Sequence, residues 1–324
     1  MPRDYCVAWW NLENLFDVEG APERPDWLAD RLRQELVGWT AEVLASKLKQ
    51  LGRAIASLND GEGPDLLGVC EVENRTVLDK LLSQLSSDLP ARRYGVAHAD
   101  ANDQRGIDVA LLFDTELFQA GETFNRVILK RNATRDLFQV NLTTRSAGQP
   151  LVVIGNHWPS RSGGVFESEP YRILAAETLA YWHERILEHL GRDTPIVALG
   201  DFNDEPFDRS MNGYALAERL EDKVVSERSR NPYFFNLSWS ALGEGGGTHF
   251  FDGWSVLDQA LANRPLLRAA APLHYVRGSF AINRDPWRLK NGLPRRFSRP
   301  SASGGVDVDG FSDHLPITFT VREG

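Results

Sequence analysis

Cysteine is nearly absent: two thiols, Cys6 and Cys70, stand among 324 residues, each inside a short apolar run. A disulfide-stapled scaffold is thereby excluded, and both are expected as buried free thiols. No apolar run reaches the roughly 18 residues that a membrane-spanning helix needs. The first residues show no charged n-region followed by a long apolar stretch, so a cytoplasmic protein is expected unless a leader has been removed; oligomeric state is not legible, and a monomer is favoured. Net positive charge is lacking too. At -9, with 25% charged and 42% hydrophobic residues, the composition supports a folded core and a surface that as a whole repels polyanions. A phosphate-bearing substrate therefore requires a local exception. Internal repeats are missing. The low-complexity run Gly243-Glu244-Gly245-Gly246-Gly247 lacks the Gly-Lys-Ser/Thr ending of a phosphate loop and reads as a flexible connection. With no linker, residues 1–324 are expected to form one domain.

What is present is a series of short β-branched and aromatic runs: Tyr5–Trp10, Asp65–Cys70, Ile107–Phe113, Phe124–Leu129, Leu137–Thr143, Leu151–Asn156, Ile196–Leu199, Ser255–Ala260 and Ile317–Val321. These read as strands. Amphipathic helices are predicted over Thr40 to Leu58, with Leu44, Leu48, Leu51, Ile55 and Leu58 on one face, and after Asn74, with Leu78, Leu81, Leu82 and Leu85 inward. A third is predicted over Ser168 to Leu190, capped by Ser168, with Ala175, Leu179, Trp182, Ile186 and Leu190 as its stripe and Gly191 ending it. Strands that follow one another without intervening helices, between Ile107 and Asn156, argue for an α+β fold rich in antiparallel sheet.

One segment departs from the acidic trend. Arg277, Arg284, Arg288, Lys290, Arg295, Arg296 and Arg299 face Asp285 alone, a local balance of +6. Phe280, Trp287 and Phe297 interleave with these cations, a combination that holds phosphates and stacks on bases.

Polar residues cluster where apolar strands end. Asn11 and Glu13 follow the first strand, Glu71 and Glu73 the second, Asn156-His157-Trp158-Pro159-Ser160-Arg161 a third, and Gly200-Asp201-Phe202-Asn203 a fourth; Asp258 interrupts a run and Ser312-Asp313-His314 precedes the last strand. If those ends lie side by side, carboxylates, carboxamides and two imidazoles share one pocket. Oxygen donors without a thiolate favour a hard cation, Mg²⁺ or alternatively Mn²⁺. Such an ion, a carboxylate base and histidines are what hydrolysis of an anionic phosphoester requires.

In order and spacing, Gly200-Asp201-Phe202-Asn203, Ser312-Asp313-His314, the Asn11 turn, the Glu71 strand end and Asn156-His157 resemble the endonuclease/exonuclease/phosphatase superfamily, the deoxyribonuclease I-like fold; the likeness runs from Asn11 to His314. His157 with Arg105-Gly106-Ile107-Asp108 upstream is similar to a bacterial branch. The resemblance implies a four-layer α/β/β/α sandwich, two mostly antiparallel sheets between helices, forming a single catalytic domain. It implies that Glu71 is the principal metal carboxylate, with Asn11 and Asp313 beside it. Asp201 then orients or deprotonates the attacking water, Asn203 holds a phosphate oxygen, and His314 contacts phosphate with Asp258 as its acid. His157 is the second histidine, and Asp108 is the nearest match for its partner acid; such partners keep imidazoles cationic near neutral pH. Arg105, Ser160 and Arg161 join Arg295 and Arg296 as phosphate-contact candidates.

The expected activity is metal-dependent phosphodiester hydrolysis by in-line water attack, with DNA as the substrate favoured by the basic stretch. A phosphatase or phosphodiesterase for small molecules or lipid headgroups is the alternative, and a catalytically silent binding module the remote one. Structural roles are expected for Glu73, as a first-turn acid of the following helix, for Asn14 and Asp204 in turns, and for His183 and His189 as solvated side chains. His249, in a glycine-flanked loop, reads either way.

Overall fold

In the computed structural model, residues 2–229, 231–243 and 245–324 are described; Glu244, in the glycine run expected to be flexible, lies outside them. The principal strands are β1 (Arg3–Leu15), β2 (Leu66–Val72), β3 (Tyr94–His98), β4 (Asp108–Asp114), β5 (Phe118–Arg126), β6 (Leu137–Thr144), β7 (Pro150–His157), β8 (Ile196–Asp201), β9 (Asp258–Asn263) and β10 (Ile317–Glu323). The principal helices are α1 (Ala41–Ala56), α2 (Arg75–Asp88) and α3 (Val165–Leu190).

Among the described residues these strands, extended by short ones, form two seven-stranded sheets, and two small two-stranded sheets stand apart from them. In the first, β10, β1, β2, β4 and β3 are neighbours in that order; in the second, β5 through β9 follow the chain. Most pairings are antiparallel, but β1 lies parallel to β2 and β7 parallel to β8. Each parallel pair needs a crossover, and α1 and α3 supply them. The two sheets pack face to face through Val7, Trp9, Val109 and Phe319 against Val140, Val153, Leu199 and Ala260. Helices α1 and α2 cover the outer face of the first sheet over Trp10, Leu67 and Leu112, while α3 covers the second over Val152, Ile154 and Ala198. This is the expected four-layer α+β sandwich. No helix of the described residues is long and apolar enough to cross a membrane.

Several local expectations are corrected. The fifth strand runs from Phe118 to Arg126, not from Phe124 to Leu129, because it is an edge strand whose outward positions are polar and dilute the apolar signal. The run Ser255–Ala260 is split: its pairing to β8 starts at Asp258 and continues to Ala262, and the strand ends at Asn263. Helix α3 begins at Val165, before Ser168, and Leu190 is exposed. His183, expected in solvent, is 1% exposed and stacks on Phe234 at 3.8 Å. It sits four residues after Leu179 and three before Ile186, so helical geometry turns it inward. Glu73 does not serve α2, which Asn74 caps through Val77 N at 2.9 Å. Glu73 is buried instead, bonded twice by Arg24 at 2.6 and 2.7 Å. Cys6 is half-buried, Cys70 buried, and both are free.

Candidate active site

Four of the converging side chains leave the carboxyl ends of the parallel pairs β1–β2 and β7–β8, one pair from each large sheet. Asn11 lies opposite Cys70, next to Glu71, and His157 lies opposite Asp201. Gly200 allows the second approach, since a Cβ there would collide with the Asn156 carbonyl oxygen. Glu71 stands at a bulge where the pairing with β4 slips between Cys70 and Val72, and its φ of 60° is left-handed. A bulge of this kind re-aims one side chain at a strand end. Glu13, Asn14 and Asn203 are left-handed as well, with φ of 54°, 58° and 52°. Such backbone costs about 1–3 kcal/mol per residue and is retained where surrounding contacts enforce it.

Asp201 is the hub. Its Oδ2 accepts from Asn11 Nδ2 at 3.1 Å and lies 3.8 Å from His157 Nε2 and 3.9 Å from His314 Nε2. Its Oδ1 accepts from the Asn203 backbone N–H at 3.0 Å. Burial raises the Asp201 carboxyl well above the ordinary range; His314 opposes that and Asp258 reinforces it. His314 Nδ1 faces Asp258 Oδ2 at 2.6 Å, while Trp9 Nε1 donates to the other Asp258 oxygen at 3.0 Å. Burial alone would lower the His314 pKa, but Asp258 and Asp201 hold it well above normal, so this imidazole is cationic. Glu71 Oε2 accepts from Asn14 N at 2.9 Å, and Oε1 lies 3.7 Å from His157 and 3.8 Å from Arg105. Asp313 lies 3.3 Å from Arg296.

His157 differs from expectation. Asp108 turns to His98 Nε2 at 3.0 Å and the Ala101 N–H at 2.8 Å, leaving His157 Nδ1 with no hydrogen-bond partner among the described residues. The cause is strand alternation: Val109 and Leu111 point between the sheets, so Asp108 shares the opposite face with Ala110 and Leu112. Burial, then Arg135, Arg105 and His314, push the His157 pKa well below normal, and this imidazole is neutral rather than cationic. Asn203 donates Nδ2 to the Trp158 carbonyl at 3.1 Å, which also accepts from Arg135 at 2.8 Å.

The phosphate-contact candidates scatter. Arg105 reaches Glu71, whereas Ser160 is exposed and bonds Ser162. Arg161 braces the Asn203 carbonyl at 2.7 Å and pairs with Asp204 and Asp208. Asp204 is more than a turn residue, pairing with buried Arg172 at 2.7 Å. Arg295 is bound to Asp307 at 2.8 Å and Asp309 at 3.1 Å, and Arg296 to Glu13 at 2.7 Å. Of the remaining basic stretch, Arg277 pairs with Glu221, Arg288 with Asp285, Lys290 with Asp307 and Arg299 with Glu35. Its Phe280 and Phe297 are buried, and Trp287 packs on Phe311 at 5.1 Å.

Of three further buried or half-buried groups, Lys47 escapes sequence reasoning, Glu13 is legible only as a strand-end residue, and His249 reads either way. Glu13 is 1% exposed, His249 lies 4.5 Å from the His314 ring, and Lys47 is wholly buried. Burial lowers His249 to about 3 and Lys47 to about 8. For Lys47 a signal existed, a lysine within a leucine face.

Glu71, Asp313 and the Asn11 carboxamide provide hard oxygen donors, with Arg296 and Arg105 already drawn to the two carboxylates. This donor chemistry fits Mg²⁺ or Mn²⁺, which need only one or two protein carboxylates.

The family model described as endonuclease/exonuclease/phosphatase family matches residues 6–323. An endonuclease/exonuclease/phosphatase family protein from Bacteroides thetaiotaomicron is 16% identical, with a TM-score of 0.57 over 100% of this chain and 99% of that one. A truncated Caenorhabditis elegans TDP2 is 15% identical, TM-score 0.55, over 99% and 98%. A mannosyl-6-phosphatase of Bacteroides thetaiotaomicron is 15% identical, TM-score 0.55, over 98% and 99%. No curated protein matches this chain. Members of the matching family are phosphoric ester hydrolases, generally dependent on a divalent metal. With the sandwich and the strand-end pocket alongside that match, the chain belongs to the endonuclease/exonuclease/phosphatase family.

Proposed function

We propose that residues 1–324 form one catalytic domain that hydrolyses a compact phosphoester, with a divalent cation held by Asn11, Glu71 and Asp313. The observation that carries this reading is the single cluster in which Asp201 meets Asn11, Asn203, His157 and His314 within 3.9 Å. The bound cation would supply Lewis acidity toward the phosphoryl group. Asp201, raised toward neutrality, accepts or orients a proton of the attacking water. Cationic His314, fixed by Asp258, offers Nε2–H to a phosphoryl oxygen. Neutral His157 donates one hydrogen bond without adding charge, and Asn203 has a second amide hydrogen left for the substrate.

The favoured substrate shifts from DNA to a small phosphoester. DNA rested on free cations and interleaved aromatics between Arg277 and Arg299, and apart from Arg284 every cation there has an acidic partner among the described residues. Polynucleotide affinity depends on cations free to neutralise phosphates. The test is a panel of plasmid DNA, RNA, bis(p-nitrophenyl) phosphate and p-nitrophenyl phosphate, with Mg²⁺, Mn²⁺, Ca²⁺ or chelator. Chelator-sensitive turnover of the small esters, exceeding DNA cleavage, is expected. DNA cleaved much faster than either small ester restores the nuclease reading, and turnover indifferent to chelator overturns the metal site.

A further inference from the structure

We infer that Lys47 is a positioning residue whose ammonium ties together the two backbone segments that carry Asn11 and Asp313. The inference rests on reading those residues as holders of a divalent cation. Lys47 lies on α1 among Leu44, Leu48 and Leu51, the face packed on the first sheet, and is 0% exposed. An ammonium in such a place is costly unless its protons find acceptors. It finds two: Nζ donates to the Glu13 carbonyl at 3.1 Å and to the Phe311 carbonyl at 3.0 Å, while lying 5.1 Å from the Phe297 ring centroid.

Both acceptors lie next to proposed cation holders. Glu13 opens the left-handed pair Glu13-Asn14, two residues after Asn11, and Phe311 leads into Ser312-Asp313-His314. Sheet pairing between β1 and β10 ends at Trp9 and Ile317, so the ladder does not hold these segments together. What joins them is Ser312 Oγ donating to the Asn11 carbonyl at 2.7 Å, Trp10 Nε1 donating to the His314 carbonyl at 2.8 Å, and the ammonium of Lys47, which alone among the described residues reaches Glu13 and Phe311 together. The acidic side chains on this seam supply counter-charge: Glu13 is buried and receives Arg296 at 2.7 Å and the Phe297 N–H at 3.1 Å, while Asp313 also faces Arg296. Removing the ammonium leaves two buried carbonyls without a donor, and their movement toward other partners displaces Asn11 from Asp313.

Lys47→Met keeps much of the side-chain volume without the donors, and Lys47→Gln restores N–H donors on a shorter stem. Mn²⁺ binding to the full chain, without substrate, is measured by electron paramagnetic resonance beside a thermal melt. In Lys47→Met, Mn²⁺ affinity should fall roughly 10–100-fold, the range typical for loss of groups that orient metal ligands. The KM at saturating Mn²⁺ should stay near wild type, and Lys47→Gln should recover part of the affinity. Unchanged Mn²⁺ affinity in a folded Lys47→Met overturns the role of Lys47 alone. Failure of both variants to fold overturns it too, making Lys47 a core support. A wild-type chain that binds no Mn²⁺ overturns the cation site itself.

Discussion

The strand-end pocket and the stretch from Arg277 to Arg299 are both rich in charge, and they dispose of it in opposite ways. In the pocket, like and unlike charges are held together by backbone: Asp201 and Asp258 lie opposite each other on β8 and β9, and His314 is wedged against both. Burial raises the Asp201 carboxyl to about 7, and the carboxylates beside His314 hold its imidazole well above the normal value, shifts of the kind that acid–base sites use. In the basic stretch each cation but Arg284 meets an acid among the described residues, Lys290 and Arg295 sharing Asp307, and Arg288, 1% exposed, donates to the Ala54 carbonyl at 2.9 Å. Charge density along a sequence therefore says little about charge available to a ligand. Whether a counter-ion is nearby in space decides that.

The sharpest way to test this contrast is in the pocket. Asp201→Asn should lower kcat by about a thousandfold or more while leaving the melting temperature close to wild type, as expected when a group acting in the transition state is lost. Initial rates beside a thermal melt decide it; near-normal turnover would remove Asp201 from the chemistry. Asp258→Asn should cost less, roughly 10²–10⁴-fold in kcat, because it acts through the charge and orientation of His314. Its histidine ring signals, followed by NMR against pH, should show His314 losing its proton at lower pH than in wild type. A titration that does not move would break the assigned pairing.

The smallest effect is expected in the basic stretch. Arg295→Gln should leave KM for both DNA and small esters unchanged and lower stability by no more than about 1 kcal/mol, the range of exposed ion pairs. Its partner Asp307 is held down to about 2 by the Arg295 hydrogen bond, against an ordinary 3.8. A carboxyl lowered on folding stabilises above its unfolded value and stops doing so as pH falls through its folded one. The urea midpoints of wild type and Arg295→Gln should accordingly differ at pH 6 and converge between about pH 4 and pH 2. A raised KM for DNA alone would show that Arg295 is free for substrate.

Much of this was legible one residue at a time. Strands that are apolar on both faces, such as Ile196–Leu199 and Leu151–Asn156, announce a buried sheet, and helix α1 announces its face through leucines three and four apart. Edge strands were less legible: β5 exposes Gln119, Glu122 and Thr123, and short β3 is half-buried. Asp108 and His157 illustrate the deeper difficulty. Their residue types suit each other, yet alternation along β4 directs Asp108 outward to His98, and one residue of phase reverses the partner.

By itself the sequence determined the kind of fold, the polar groups that close each apolar strand, and the oxygen-rich chemistry they offer, because side-chain periodicity and donor type are local properties. Tertiary structure decided the rest. Which histidine carries charge, which arginines remain free and where Lys47 places its ammonium depend on neighbours hundreds of residues away, such as Phe311 for Lys47 and Asp258 for Trp9. Electrostatic energy and desolvation are set by distance and burial in space, and the order of residues along the chain fixes neither.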